Sequence, residues 1–187
     1  MNATFDPRRD RPGSGRNRLA EMLRVDHAGE YGAVRIYQGQ RAVFDALPTK
    51  FATAETLRRM EEGEAIHLET FDRLLAERGV RPTVLSPVWS LAGYALGAAT
   101  ALLGEKAAMA ATEAVEDVIE QHYAAQAREL DTLEPELAGT IAGFRDDELA
   151  HKRTAEENGA REAIGYPLLK AVIGAGCKLA IRLSEKL

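Results

Sequence analysis

Residues 64–67 read EAIH and residues 148–151 read ELAH. Both are Glu-x-x-His, and both lie in stretches whose apolar residues recur every three or four positions, the helical period. Successive helical residues turn by about 100°, so residues three apart stand about 60° from one another and share a face. Such a pair offers a metal one carboxylate oxygen and one neutral imidazole nitrogen. A single copy is common on solvated helix faces. Two copies on separate long helices, in a chain with 4 histidines, match a four-helix bundle built around two metal ions. That bundle takes one Glu-x-x-His from each of two helices and one Glu from each of the other two.

The helices preceding each motif offer the missing acids. The first carries Glu30 within DHAGEYGA (26–33), where Gly29 and Gly32 each cost a helix interior roughly 1 kcal/mol relative to Ala. The other carries Glu113, Glu116 and Glu120 within EAVEDVIEQHY (113–123). Glu30 precedes Tyr37 by 7 residues and Glu116 precedes Tyr123 by 7, two helical turns, so each acid has a tyrosine on its own face. Glu30 to Glu64 spans 34 residues and Glu116 to Glu148 spans 32, so the chain reads as two helix pairs, each with Glu then Glu-x-x-His. Glu116 fits that repeat, although spacing alone leaves Glu113 and Glu120 open. The set Glu30, Glu64, His67, Glu116, Glu148 and His151 carries about four negative charges, which two divalent cations neutralise. Four buried carboxylates without a cation are costly. An oxygen-rich set with two imidazoles suits iron or manganese rather than structural zinc.

The rest of the chain agrees with an all-α domain. It has 187 residues, 45% of them apolar, enough for one sizeable core. Sustained strand alternation and hairpin turns are missing from the pattern. The net charge of −5 argues against nucleic-acid partners. The single cysteine, Cys177, cannot form an internal disulfide, which points to a reducing compartment. Residues 1–18, rich in Arg, Pro, Gly and Asp, read as a flexible lead with no apolar signal core, ahead of one domain over 19–187. Helices are expected over about 17–47, from a cap at Thr49 or Thr53 to Arg78 with a stop at Gly79, over 105–133, from Pro135 to Asn158-Gly159, and from Pro167 onward. Ser86 before Pro87 reads as an N-cap and first-position pair.

Two stretches bear on membranes. Residues 82–104 contain no charge, long enough by count to span a bilayer, but small and polar residues fill most of the stretch. It reads either as a buried or partly buried helix or as one lying at a membrane surface. The C-terminal stretch 166–187 is amphipathic, with Lys178, Arg182 and Lys186 on one stripe. It suits anionic lipid, a partner protein, or an ordinary surface position.

RVDHAGEYGAVRIYQGQ, EAIHLETF, AVEDVIEQHY, FRDDELAHKR and AGCKLAIRLSEKL resemble the demethoxyubiquinone hydroxylases, over about 19–187. That resemblance implies a ferritin-like four-helix bundle with a di-iron centre, an apolar segment after the second helix and an amphipathic C-terminal helix. It selects Glu116 over its neighbours and makes Glu30, Glu64, His67, Glu116, Glu148 and His151 the ligands of two iron ions. It implies hydroxylation of 2-polyprenyl-3-methyl-6-methoxy-1,4-benzoquinol at ring C5 with dioxygen. Its implied setting is peripheral: the cytoplasmic face of a bacterial inner membrane, or the matrix side of the mitochondrial inner membrane. Implied partners are membrane lipid, an electron donor (NADH or a reductase) and other ubiquinone-biosynthesis proteins. Outer support for the ligands is expected from Asp26, Asp147, Glu113, His122 and Tyr123, and an apolar approach for the prenyl tail from Trp89, Tyr94 and the last helix. The competing reading is an iron-handling or peroxide-scavenging bundle of the ferritin, rubrerythrin or manganese-catalase kind, which has no use for the apolar segment.

Overall fold

The computed structural model describes residues 14–187, with side chains from residue 17. Residues 1–13 of the expected lead lie outside the described part, and residues 14–18 belong to the first helix. Six helices follow one another: α1 (Ser14–Phe44), α2 (Phe51–Arg78), α3 (Ser86–Leu102), α4 (Glu105–Leu130), α5 (Pro135–Glu157) and α6 (Tyr166–Ser184). No strand occurs among the described residues. The expected ferritin-like bundle is formed by α1 paired with α2 and α4 paired with α5, while α3 lies on α1 and α6 on α4.

Helix ends follow local chemistry. Gly79 takes a left-handed φ of 64°, so its N–H reaches the Ala76 carbonyl while the Val80 N–H reaches Leu75. This is a Schellman stop, which a side chain with Cβ resists. Gly159, at φ 87°, follows the end of α5 at the predicted place. Three cap expectations are corrected. Neither Thr49 nor Thr53 caps α2: Lys50 stands at the N-cap, and the Thr53 hydroxyl donates to Glu105 instead. Ser86 is the first residue of α3, not its cap, and its hydroxyl donates to the Thr83 carbonyl at 2.8 Å. Thr83 does the turning, its Oγ1 accepting the Leu85 N–H at 3.2 Å.

The uncharged segment is held by close backbone contact. A Cβ on Gly97 would stand 2.0 Å from the Ile36 carbonyl oxygen, and one on Gly39 would stand 2.2 Å from that of Tyr94. Glycine there lets α3 approach α1 more closely than side chains permit. Four of the small residues that make this stretch a poor bilayer span, Gly93, Gly97, Thr100 and Ala101, are therefore its packing surface. Its 17 residues reach roughly 25 Å, short of a hydrocarbon core of about 30 Å. No helix among the described residues is long and apolar enough to cross a membrane. The outer face of α3 still exposes Val88, Leu91 and Leu102, so the helix is partly buried with an apolar face outward. On α6, Leu168, Val172 and Leu179 are likewise exposed, beside the outward Lys178, Arg182 and Lys186. The two helices join at their ends, where Trp89 Nε1 donates to Ser184 Oγ at 3.0 Å.

Candidate metal centre

Between the two helix pairs, six side chains converge. Their atoms form two groups, Glu30, Glu64, His67 and Glu148, then Glu64, Glu116, Glu148 and His151, each with its donor atoms within 4.8 Å of one another. Glu64 and Glu148 belong to both groups. These are the six residues singled out by spacing and resemblance, and the four carboxylates are almost fully buried. Glu113, the spacing alternative to Glu116, points elsewhere: it accepts from Tyr166 Oη at 2.9 Å and Lys170 Nζ at 2.7 Å, tying α6 to α4.

The donor atoms fit a metal. Eight buried atoms of the six residues find no hydrogen-bond partner: Glu30 Oε2, both oxygens of Glu64 and of Glu148, Glu116 Oε2, and Nδ1 of His67 and His151. Buried polar atoms are rarely left so. Here eight of them belong to one cluster, in which each imidazole turns Nδ1 inward. His67 Nδ1 lies 3.3 Å from Glu148 and 3.6 Å from both Glu30 and Glu64. His151 Nδ1 lies 2.8 Å from Glu64 and 3.8 Å from Glu148.

Electrostatics record the crowding. Burial pushes the Glu30 and Glu116 carboxyls well above the ordinary range, and the charges of Glu64 and Glu148 push them further. Burial acts the same way on Glu64, but the adjacent His151 and His67 imidazoles outweigh it and bring that carboxyl down to about 2. Burial would lower both histidines; the carboxylates overcome it, raising His67 and carrying His151 up to about 10. The side chains by themselves thus keep protons that a cation would displace.

The tyrosines are placed otherwise than the same-face spacing suggests. Tyr37 Oη donates to Glu116 Oε1 at 2.5 Å and Tyr123 Oη donates to Glu30, so each tyrosine serves the acid of the other helix. Burial, then the adjacent carboxylate, raises both phenols well above their ordinary value, which keeps them as donors. Of the other expected supports, Asp147 Oδ2 meets His67 Nε2 at 3.2 Å. Asp26 and His122 meet each other at 3.2 Å, and Gln126 Nε2 donates to Asp26 at 2.5 Å; their hydrogen bonds do not reach the six. Phe144, which sequence reasoning missed, packs its ring 4.0 Å from that of His67. Its only sequence signal is its position four residues before Glu148, on the same face.

Beside the centre lies a cavity of about 450 Å³ with almost wholly apolar walls. Its lining comes from α1, α3, α4 and α6, with none from α2 or α5. Gly29, Gly32 and Ala33 of α1 and Val115 and Ile119 of α4 form part of it, the helical neighbours of Glu30 and Glu116. A Cβ on Gly29 or on Gly32 would meet nothing within 4 Å, so the Cβ side of each borders space, although the Gly32 carbonyl oxygen faces α3, where a Cβ on Gly93 would stand 2.8 Å from it. Trp89 lines the cavity as expected; Tyr94 does not, and instead lies under the Arg35 guanidinium at 4.9 Å. Cys177 also lines it.

A family model described as ubiquinone biosynthesis protein COQ7 matches residues 17–184. The chain is 53% identical over 168 residues to a Rhodospirillum rubrum protein named 3-demethoxyubiquinol 3-hydroxylase, covering 90% of this chain and 78% of the relative. It is 48% identical over 176 residues to a Bos taurus protein named NADPH-dependent 3-demethoxyubiquinone 3-hydroxylase, mitochondrial, covering 92% and 79%. With a Saccharomyces cerevisiae protein named 5-demethoxyubiquinone hydroxylase, mitochondrial, it shares 38% identity over 185 residues, covering 90% and 78%. The chain therefore belongs to the COQ7 family of ubiquinone biosynthesis proteins.

Proposed function

We propose that this protein is a dioxygen-dependent di-iron monooxygenase that hydroxylates the ring of demethoxyubiquinol at C5 during ubiquinone biosynthesis. The observation that carries the reading is the pair of four-residue groups sharing Glu64 and Glu148, their unpartnered atoms turned inward beside an apolar cavity. The names of the relatives support it over iron storage or peroxide scavenging.

Glu30 and His67 would hold one iron, Glu116 and His151 the other, with Glu64 and Glu148 between them. When bound, a reduced iron pair supplies electrons to dioxygen and the place where it is activated. One oxygen atom enters a ring C–H bond and the other leaves as water, with two electrons and two protons consumed. Tyr123 and Tyr37 each hold one oxygen of a terminal glutamate by a hydrogen bond, which fixes the carboxylate's rotation and leaves its second oxygen free. The cavity walls exclude water and receive the prenyl tail, and Gly29 and Gly32 give the quinol ring room against the α1 backbone next to Glu30.

The tail requires access from lipid. The exposed apolar residues of α3 and α6, with Lys178, Arg182 and Lys186 beside them, suit peripheral attachment to an anionic membrane. In a bacterial cell this is the cytoplasmic face of the inner membrane; in a mitochondrion, the matrix side. The reductant is a nicotinamide nucleotide or a partner reductase; the bovine relative is named for NADPH, while this sequence has no Gly-rich nucleotide fingerprint. Anaerobic iron loading followed by turnover under isotopically labelled dioxygen tests the whole reading. The expected quinone carries one labelled oxygen at the new hydroxyl, and a product bearing only solvent oxygen overturns it.

A further inference from the structure

The two Glu-x-x-His motifs occupy matching places in the two helix pairs, yet the residue before each glutamate differs. Gly63 precedes Glu64, and Asp147 precedes Glu148. Each of these residues faces the histidine of the opposite motif. Asp147 Oδ2 lies 3.2 Å from His67 Nε2. A Cβ built on Gly63 would lie 3.2 Å from His151 Nε2 and 3.3 Å from its Cε1. The same place across the bundle thus holds a carboxylate in one half and no side chain in the other.

The consequence follows from the orientation of the rings. Both imidazoles turn Nδ1 into the cluster, so the proton left on the ring sits on Nε2. At His67 that N–H donates to Asp147, which fixes the tautomer and makes Nδ1 a better donor to a cation. At His151 no protein acceptor meets Nε2 among the described residues. His67 is further held by the Phe144 ring at 4.0 Å and is 3% exposed; the His151 side chain is 14% exposed, and its aromatic neighbour, Tyr37, stands edge-on at 6.3 Å.

Building on the di-metal reading above, we propose that Asp147 is a positioning residue that makes the two metal positions unequal. The ion beside Glu30 and His67 is retained, and the ion beside Glu116 and His151, where Gly63 takes the place of an acid, is the exchangeable one. Losing such an outer partner typically weakens metal binding about 10–100-fold.

The test is an anaerobic titration of the full chain with Fe(II) against a chromophoric chelator, for the wild type, Asp147→Ala and Asp147→Asn. Asp147 is 61% exposed at its side chain, which suits these changes to an intact fold. The wild type should bind two ions in two resolved steps. Asp147→Ala should weaken the tighter step about 10–100-fold and leave the weaker one within about threefold. Asp147→Asn, which keeps a neutral acceptor of the same shape, should weaken the same step by no more than Asp147→Ala does. Melting curves before iron addition should coincide across the three proteins. A wild type that binds two equal ions, a tighter step unmoved in Asp147→Ala, or equal weakening of both steps overturns the proposal and leaves the di-iron reading standing. A wild type that binds fewer than two ions overturns the di-iron reading itself.

Discussion

Gly29 and Gly32 give the sharpest separation of fold from function. Both lie inside α1, and an added Cβ on either would meet nothing within 4 Å. Replacing both with Ala therefore adds no clash and removes the helix-interior penalty, about 0.8–1.0 kcal/mol each. The pair should gain about 2 kcal/mol. For a chain of this length each kcal/mol moves the melting midpoint by about 2–4 °C, so a rise of about 4–8 °C is expected. Catalysis should move the other way, because the new methyl groups enter the cavity where the ring would sit against Glu30's neighbours. Gly32→Leu goes further and should lower kcat/KM for a long-tailed quinol at least about tenfold, a loss of ~1.4 kcal/mol. The assays are thermal melting and steady-state turnover with long- and short-tailed quinols. An Ala pair that melts lower than the wild type would show that the glycines serve packing after all. A Gly32→Leu enzyme with unchanged kcat/KM would show that the quinol does not use this cavity.

The opposite stability outcome is expected at the α1–α3 crossing: Gly97→Ala places a methyl 2.0 Å from the Ile36 carbonyl, and overpacking of that kind costs about 1–3 kcal/mol, read as a melting midpoint lower by several degrees. Glu148 belongs to both ligand groups, so Glu148→Ala should reduce bound iron below one ion per chain and abolish hydroxylation while circular dichroism keeps its helical signal; two retained ions would refute its bridging role. Burial pushes the Cys177 thiol up to about 11 from its usual 9. Thiolate is the reactive form, so alkylation at pH 8 should run about 100-fold slower than for an ordinary thiol, rise tenfold per pH unit until about 11, and slow further when a quinone fills the cavity it lines. Charge reversal at Lys178, Arg182 and Lys186 should weaken co-sedimentation with anionic liposomes at least about 100-fold, since each basic residue at such a surface contributes about 1 kcal/mol; unchanged binding would exclude this stripe from attachment.

The six converging side chains were legible because helical spacing translates directly into a shared face. Glu64 with His67, and Glu148 with His151, needed only the three-residue offset, and the near repeat of 34 and 32 residues placed one acid on each partner helix. What spacing does not encode is the rotation of one helix against another. That rotation sends Tyr37 to Glu116 and Tyr123 to Glu30, although each tyrosine shares a face with its own helix's acid. The caps failed for a related reason. Thr53 and Ser86 have the right chemistry for capping, but Glu105 claims one hydroxyl and the Thr83 carbonyl the other, and a local pattern does not see such competitors. Gly29 and Gly32 differ from Gly39 and Gly97 in what an added Cβ would meet, open space against backbone, and sequence alone gives all four the same letter.

The near symmetry of the fold lies in the carboxylate–histidine cluster, and its departures from symmetry lie in the helices added around it. Each helix pair brings two glutamates and one histidine to the cluster, so the candidate ligands come in equal halves. The added helices do not respect that equality: α3 and α6 lie against α1 and α4, and the whole apolar cavity opens on that side. The opposite side, made by α2 and α5, carries exposed Asp147 and the partly exposed His151. On the proposed function, an apolar ring and a proton from water would therefore approach the same centre from different faces. Water that followed the substrate would quench reactive oxygen chemistry, and a substrate that entered from the polar side would have to desolvate Asp147. Separating the two routes requires a side with no acid at the cavity wall, and the lining of α1 and α4 there, which includes Gly29, Gly32, Ala33, Val115 and Ile119, has no charged residue.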